Sequence, residues 1–201
     1  KESKIDIPGA DGYLDMTDYF GTRYEDRKIT IECDIEDRSY YDWAGRMSQL
    51  SNYLHGKKRK IVLDWDNGFY YLGRGTCEYE KKNRAFSLVT LKFECDPYKY
   101  ELTATDEDWL WDPFDFEEGV IKEYGNQNVD GTLVLTVIGS PMPVVPRITV
   151  SSDMQVEFEG ERFDLKAGEN YLPDIEIKDG EHVMTFMGHG VATVSYRGGS
   201  L

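Results

Sequence analysis

Between Lys28 and Gly56 the chain reads as a strand followed directly by an amphipathic helix, and this pairing constrains the fold more than any other stretch. Ile29, Ile31, Cys33 and Ile35 alternate with Thr30, Glu32, Asp34 and Glu36, the period-two pattern of a half-buried strand. Ser39 is placed to accept a hydrogen bond from the first helical turn, with Asp42 three residues on to complete a capping box. Tyr40, Trp43, Met47, Leu50 and Leu54 then fall on one narrow stripe at helical spacing. Gly56, just past the last apolar residue, supplies a stop. No other stretch carries a helical period of this quality, so the surrounding strands must share the stripe as their core.

The 201 residues suffice for one large domain or two modest ones. Charge is the unusual quantity: 38 acidic against 23 basic residues leave a net −15. Reading nucleic acid through its phosphates needs the opposite sign, so sequence-specific nucleic-acid binding is disfavoured. Cys33, Cys77 and Cys95 are odd in number, lack CxxC spacing and fall in predicted strands, which makes them small buried hydrophobes rather than a disulfide framework. No apolar run reaches the ~18 residues of a membrane-spanning helix, so no membrane insertion is expected. No signal-peptide pattern opens the chain, and a first residue of Lys1 leads us to expect natural sequence upstream of it.

Residues 1–27 read as an ordered loop with short strands, punctuated by Pro8-Gly9 and Asp11-Gly12. Lys57-Lys58-Arg59-Lys60, after the helix, is expected to be a solvated turn complementing the helix dipole. Asp66-Asn67-Gly68 predicts a hairpin closed by a type I′ turn. A second hairpin pairs Thr76–Glu80 with Ala85–Cys95 around Lys81-Lys82-Asn83-Arg84. In its returning strand the apolar positions change parity after Leu88, which predicts a bulge near Val89. Residues 101–119 carry eight acids and no base together with Trp109, Trp111, Phe114 and Phe116. Aromatics of that size are normally buried, so the stretch reads as a connector docking on a domain or a neighbouring subunit.

Beyond Val120 the chain is strand and turn. Leu133, Leu135 and Val137 alternate with polar neighbours, and hairpins are expected at Glu159-Gly160 and Asp179-Gly180, with a last strand over Gly190–Tyr196. This spacing indicates a β-sandwich. The expected chain is mainly β with one helix: an α+β domain over 1–100, a connector over 101–119, and a sandwich over 120–201.

Catalytic material is sparse. His55 ends the helix, and His182 and His189 sit at turns without HxxxH or HExxH spacing. Asp64, Asp66, Asn67 and Gly68 miss the calcium-loop order because Gly68 occupies the fifth position. Walker, GxSxG and GxGxxG motifs are absent, so no catalytic, metal-binding or cofactor-binding residue is assigned and no enzyme is expected. A carbohydrate-binding module using the aromatic connector, and a wall hydrolase using a carboxylate pair, are the competing readings.

Taken in order, IPGADGYLD, YEDRKITIECDI, DWAGRMSQLSNYLHG and FSLVTLKFECDPYKYE resemble the distal tail (Dit) proteins of long-tailed phages and prophages. The resemblance covers about residues 5–100 and extends more loosely through PMPVVPRITV and VSYRGGSL. It implies a virion structural role: a hexameric ring assembled in the host cytoplasm, a hub with a central DNA channel between the tail tube protein and the tip or baseplate proteins. It also implies that the sandwich is galectin-like, although the galectin sugar-binding run has no counterpart here, and that the family's first strands, upstream of IPGADG, are missing from the 1–100 domain. An anionic wall would keep DNA from sticking to such a channel. Exposed hairpin edges at Asp66, Asn67 and Gly68, and at Lys81, Lys82, Asn83 and Arg84, are the expected interface between copies.

Overall fold

A computed structural model describes residues 4–9, 11–16, 22–36, 39–108 and 122–201. The aromatic part of the acidic connector, Trp109 to Phe116, lies outside them. The described residues are mainly strand with one α-helix, in two compact units: Lys1–Lys60 with Leu72–Pro97, and Ile61–Tyr71 with Tyr98–Leu201.

In the first unit, β1 (Lys4–Asp6) and β2 (Tyr13–Asp15) form a small hairpin. β3 (Arg27–Glu36) precedes α1 (Tyr40–Leu54), and β4 (Lys58–Ile61) follows it. Ser39 caps the helix, its hydroxyl accepting from the Asp42 amide at 3.3 Å. Gly56 ends it with φ +71. The antiparallel order is β3, β6 (Phe86–Cys95), then β5 (Phe69–Lys81). Trp43 and Met47 pack with Val89, flanked by Ile35, Leu50 and Leu91, which fulfils the expectation that the helical stripe is core. Tyr40, at the start of the stripe, is exposed.

Two local expectations in this unit fail. No bulge interrupts β6: its register runs without a break from Gly73↔Cys95 to Lys81↔Ser87 against β5, and from Arg27↔Cys95 to Glu36↔Phe86 against β3. Parity changes because Ser87, not Phe86, faces inward; it is fully buried and donates to the Ile35 carbonyl at 3.3 Å, while Phe86 is exposed. The basic run is not a free turn but enters β4. Arg59 donates to the Tyr53 carbonyl from Nε (3.1 Å) and Nη2 (2.9 Å), and Lys57 Nζ reaches the Asn52 carbonyl at 3.1 Å. These cations satisfy carbonyls that a helix C-terminus leaves without partners.

In the second unit, β8 (Gln127–Ile138) pairs along most of the length of β13 (Glu181–Ser195), from Ala192↔Gln127 to Glu181↔Ile138. The other side of β13 takes β9 (Arg147–Val150) and β10 (Met154–Phe158) in one common register. Arg147 to Phe158 is therefore one strand interrupted at Ser151–Asp153. β11 (Glu161–Leu165) flanks β10, and β12 (Gly168–Tyr171) flanks β9. The interruption faces Gly188 and Gly190, at φ +149 and +140. A Cβ on Gly188 would lie 2.6 Å from Met154 Cβ, and one on Gly190 2.5 Å from Ser151 Oγ, so only glycine lets the strands approach at this corner. Both halves send their side chains into one cluster, including Ile148, Val150, Val156, Phe158, Met184, Phe186 and Val194. A sheet whose two halves enclose a common core has folded over itself, and this is the β-sandwich.

The Glu159-Gly160 hairpin is present, with φ +50 and +86 as a type I′ turn requires. The Asp179-Gly180 hairpin is not. Glu181 pairs with Ile138 of β8, while Ile177, fully buried, bridges Val144. The expected final strand over Gly190–Tyr196 is the second half of β13. Also in this unit, β7 (Lys99–Glu101) pairs with Phe69 and Tyr70 on one side and with β14 (Gly199–Ser200) on the other.

Candidate functional site

The two stretches expected to form an interface belong to different units. Asp66 is turned inward in the second. It accepts from Lys99 Nζ at 3.0 and 2.9 Å and from the Tyr71 hydroxyl at 2.8 Å, with both charged side chains 18 % exposed. The type I′ turn is absent: Asp64–Asp66 form a 3₁₀ turn, and Asn67 lies at φ −73. Asp66 prefers the ion pair, and the chain closes through the Asp66 amide bonded to the Leu63 carbonyl at 2.9 Å. What this turn does expose is Trp65, 83 % accessible, which sequence reasoning missed; a single tryptophan between two aspartates gives no periodic signal.

Lys81 to Arg84 form the tip joining β5 to β6. Asn83 Oδ1 accepts from the amides of Ala85 (2.8 Å) and Phe86 (2.9 Å), and the amides of Lys82 and Asn83 both point at the Phe86 carbonyl. This side-chain turn makes the tip stiff. Lys81 Nζ lies 5.4 Å above the Trp43 ring, and Lys82 pairs with Glu80 at 2.6 Å. Arg84 is exposed beside exposed Phe86. Tyr40 and Tyr79 both pack on Trp43, at 5.3 and 5.7 Å between ring centres, and with Tyr41 they leave aromatic surface near the start of α1.

The face of the β3–β6–β5 sheet turned away from α1 is acidic. Antiparallel register places Glu32, Thr90 and Glu78 in one row and Asp34, Leu88 and Glu80 in the next, with Glu36 opposite Phe86. Lys92 Nζ, 2.7 Å from both Glu78 carboxylate oxygens, offsets only part of that charge.

The second unit contains a polar network that the sequence does not announce. Arg197 donates from Nη1 to the carbonyls of Glu101 (2.6 Å) and Leu102, and from Nη2 to Glu107 Oε2 at 3.0 Å. Lys122 Nζ meets Glu101 Oε1 at 2.6 Å. The Ala104 amide, and then Arg197, hold the Glu107 carboxyl below the usual carboxylate range. Tyr124 and Tyr196 stack with centres 6.1 Å apart, and the Tyr196 hydroxyl donates to the Ile138 carbonyl at 2.7 Å. Burial pushes both phenols upward, Tyr196 far above its ordinary range. These contacts fasten the stretch from Glu101 to Glu107 against the C-terminal residues. Partners about ninety residues apart leave no trace in local spacing.

Of the other residues singled out by sequence, only Cys95 among the cysteines is buried; burial raises its thiol pKa. Cys33 is exposed because it lies on the outermost strand, and Cys77 is intermediate, with Sγ 3.1 Å from Ser51 Oγ. His182 lies 3.2 Å from Glu159 Oε1 and 3.0 Å from the Lys178 carbonyl, beside a shallow cavity of about 340 Å³ lined also by Glu157 and Glu181. His189 reaches Asp130 at 3.0 Å and is exposed. Among the described residues no group of three or more His, Cys, Asp or Glu is disposed to hold a metal ion.

Residues 1–95 match the phage tail protein RIFT-related domain family. Over its whole length the chain is similar in fold to the Dit protein of phage SPP1, with a TM-score of 0.59 and 15 % identity over 88 % of that chain. The SPP1 protein is described as a paradigm of the hub adsorption apparatus in phages infecting Gram-positive bacteria. No curated protein sequence matches the chain.

Proposed function

We propose that this chain, a phage tail protein of the distal tail kind, is the hub of its tail tip: a hexameric ring around a DNA channel, linking the tail tube protein to tip or baseplate proteins. The observation that carries the reading is the combination of a phage tail domain over residues 1–95 with a Dit-like fold over the entire chain. The role is structural, and assembly takes place in the host cytoplasm before the protein becomes part of the virion.

In this reading the first unit builds the ring. A closed cyclic ring needs two different surfaces on each copy, one meeting the other on its neighbour. The stiff tip at Lys81, Lys82, Asn83 and Arg84 is one such surface, cationic on a chain of net −15. Arg84 and Lys82 favour an acidic acceptor on the next copy. The acidic sheet face with Glu32, Asp34, Glu36, Glu78 and Glu80 lines the channel, where repulsion of phosphate leaves DNA mobile. The exposed Trp65 beside Asn67 and Gly68 serves as a contact for a neighbouring tail protein, since a large accessible aromatic is a frequent interface anchor.

Mass photometry of the full chain tests this, alone and with Lys82 and Arg84 changed together to Glu. A six-copy species that disappears in the double variant, with an unchanged circular dichroism spectrum, supports the reading. A double variant that assembles like the parent removes the tip from the interface, and a parent that never exceeds one copy removes the ring.

A further inference from the structure

Among the described sheet edges, β8 differs from β3, β11 and β12. An edge strand offers unpaired backbone groups to any passing strand, and proteins blunt that hazard with charge, proline or bulges. β3, an edge of the first unit's sheet, carries Arg27, Lys28, Glu32, Asp34 and Glu36. On the far edge of the sandwich sheet, β11 carries Glu161, Arg162 and Asp164, and β12 carries Glu169. β8 pairs only with β13 among the described strands, and from Thr132 to Ile138 its sequence TLVLTVI holds no charge, proline or glycine. Seven such residues in a chain that is 30 % charged form the kind of segment that pairs with another strand.

This edge is open. Thr132, Val134 and Thr136 are exposed, Val134 to 63 %. Their neighbours on β13 extend the uncharged surface: Val183, itself 53 % exposed, stands opposite Thr136, Thr185 opposite Val134, and Met187 opposite Thr132. The order of side chains indicates the occupant. Thr132-Leu133-Val134-Leu135-Thr136 reads the same in both directions. Antiparallel pairing of two such strands about a two-fold axis through Val134 places Val134 against its own copy and Thr132 against Thr136. Leu133 then meets Leu135 on the core side. Cross-strand Val–Val and Thr–Thr pairs are favourable neighbours, and a two-fold contact is self-complementary by construction.

We propose that β8 is a self-association surface, through which the sandwiches of two copies join edge to edge into one continuous sheet centred on Val134. The contact lies in the second unit and goes beyond the ring reading. Adjacent copies of a six-fold ring are not related by a two-fold axis, so this contact joins copies of different rings, or free copies before ring closure.

The test uses the full chain with Cys33, Cys77 and Cys95 changed to Ser. Val134→Cys under mild oxidation should give an intermolecular disulfide in most of the protein, because residues paired across antiparallel strands stand within disulfide reach. Val183→Cys, also exposed but one strand inward, should cross-link at least about tenfold less, a free-energy difference of about 1.4 kcal/mol. In the otherwise unmodified chain, Val134→Lys should halve the mass of the largest species at high micromolar concentration while the thermal unfolding curve is retained. The proposal is overturned if Val134→Cys and Val183→Cys cross-link alike, or if Val134→Lys leaves the mass unchanged. Failure of the ring reading would instead appear as loss of six-copy species with the Val134→Cys cross-link intact.

Discussion

Trp43 is the residue on which the first unit's packing can be tested most sharply. It is 7 % exposed, packs on Tyr40 and Tyr79 with the Lys81 ammonium over its ring, and sits in the cluster with Met47 and Val89. Its indole Nε1 is buried and has no hydrogen-bond partner among the described residues. Trp43→Ala removes the whole ring and should cost about 3–5 kcal/mol. Trp43→Phe behaves differently. It gives up part of the ring volume, at about 1–2 kcal/mol, but also removes a buried unpaired donor whose desolvation costs about 1–3 kcal/mol. The net change for Trp43→Phe should fall within about 1 kcal/mol of zero. Urea unfolding followed by far-ultraviolet circular dichroism reports on this unit, since α1 is the α-helix among the described residues. If Trp43→Phe destabilises as much as Trp43→Ala, the indole N–H is bonded and the packing argument fails. If Trp43→Ala leaves stability intact but prevents assembly, the stripe is an interface rather than a core.

Thiol labelling should proceed in the order Cys33, Cys77, Cys95, with Cys95 reacting only on unfolding because it is both buried and shifted upward in pKa; rapid labelling of all three would contradict the fold. The raised pKa values of Tyr124 and Tyr196 mean that the folded state favours the neutral phenols. Their contribution is complete below the unfolded tyrosine value of about 10 and is lost as pH rises through the folded values. Phenolate absorbance should therefore show two of the 14 tyrosines ionising only as the second unit unfolds. Glu107 has the opposite sign: its lowered pKa contributes above the unfolded carboxylate range and is lost on acidification through the folded value. Arg197→Met should flatten that acid-side loss in thermal unfolding measured against pH. Gly75→Ala should cost about 1–3 kcal/mol, since its Cβ would lie 2.5 Å from the Phe93 ring.

Local chemistry made the first half of the fold legible. Ser39, the Trp43–Leu54 stripe and Gly56 define α1 through short-range rules, and Glu159-Gly160 requires its turn. The misreadings have one physical source: longer-range partners overrule local preference. Asn67 could have adopted a positive φ, but Asp66 is held by Lys99 and Tyr71, and the turn closes as 3₁₀. Asp179-Gly180 could have joined neighbouring strands, but β13 pairs instead with β8, some forty residues earlier. The parity change after Leu88 reads as a bulge, but the register is unbroken. Ser87 is buried through a bond to the Ile35 carbonyl while Phe86 is exposed. For the candidate site, the stiff tip around Asn83 was readable as a turn, whereas the Arg197 network and the exposure of Trp65 arise only in three dimensions.

Electron microscopy of the full-length protein tests the central claim most directly. Closed rings of six copies around an open channel are the expected result. Particles that remain single copies at high micromolar concentration, or that assemble into open filaments, would contradict it.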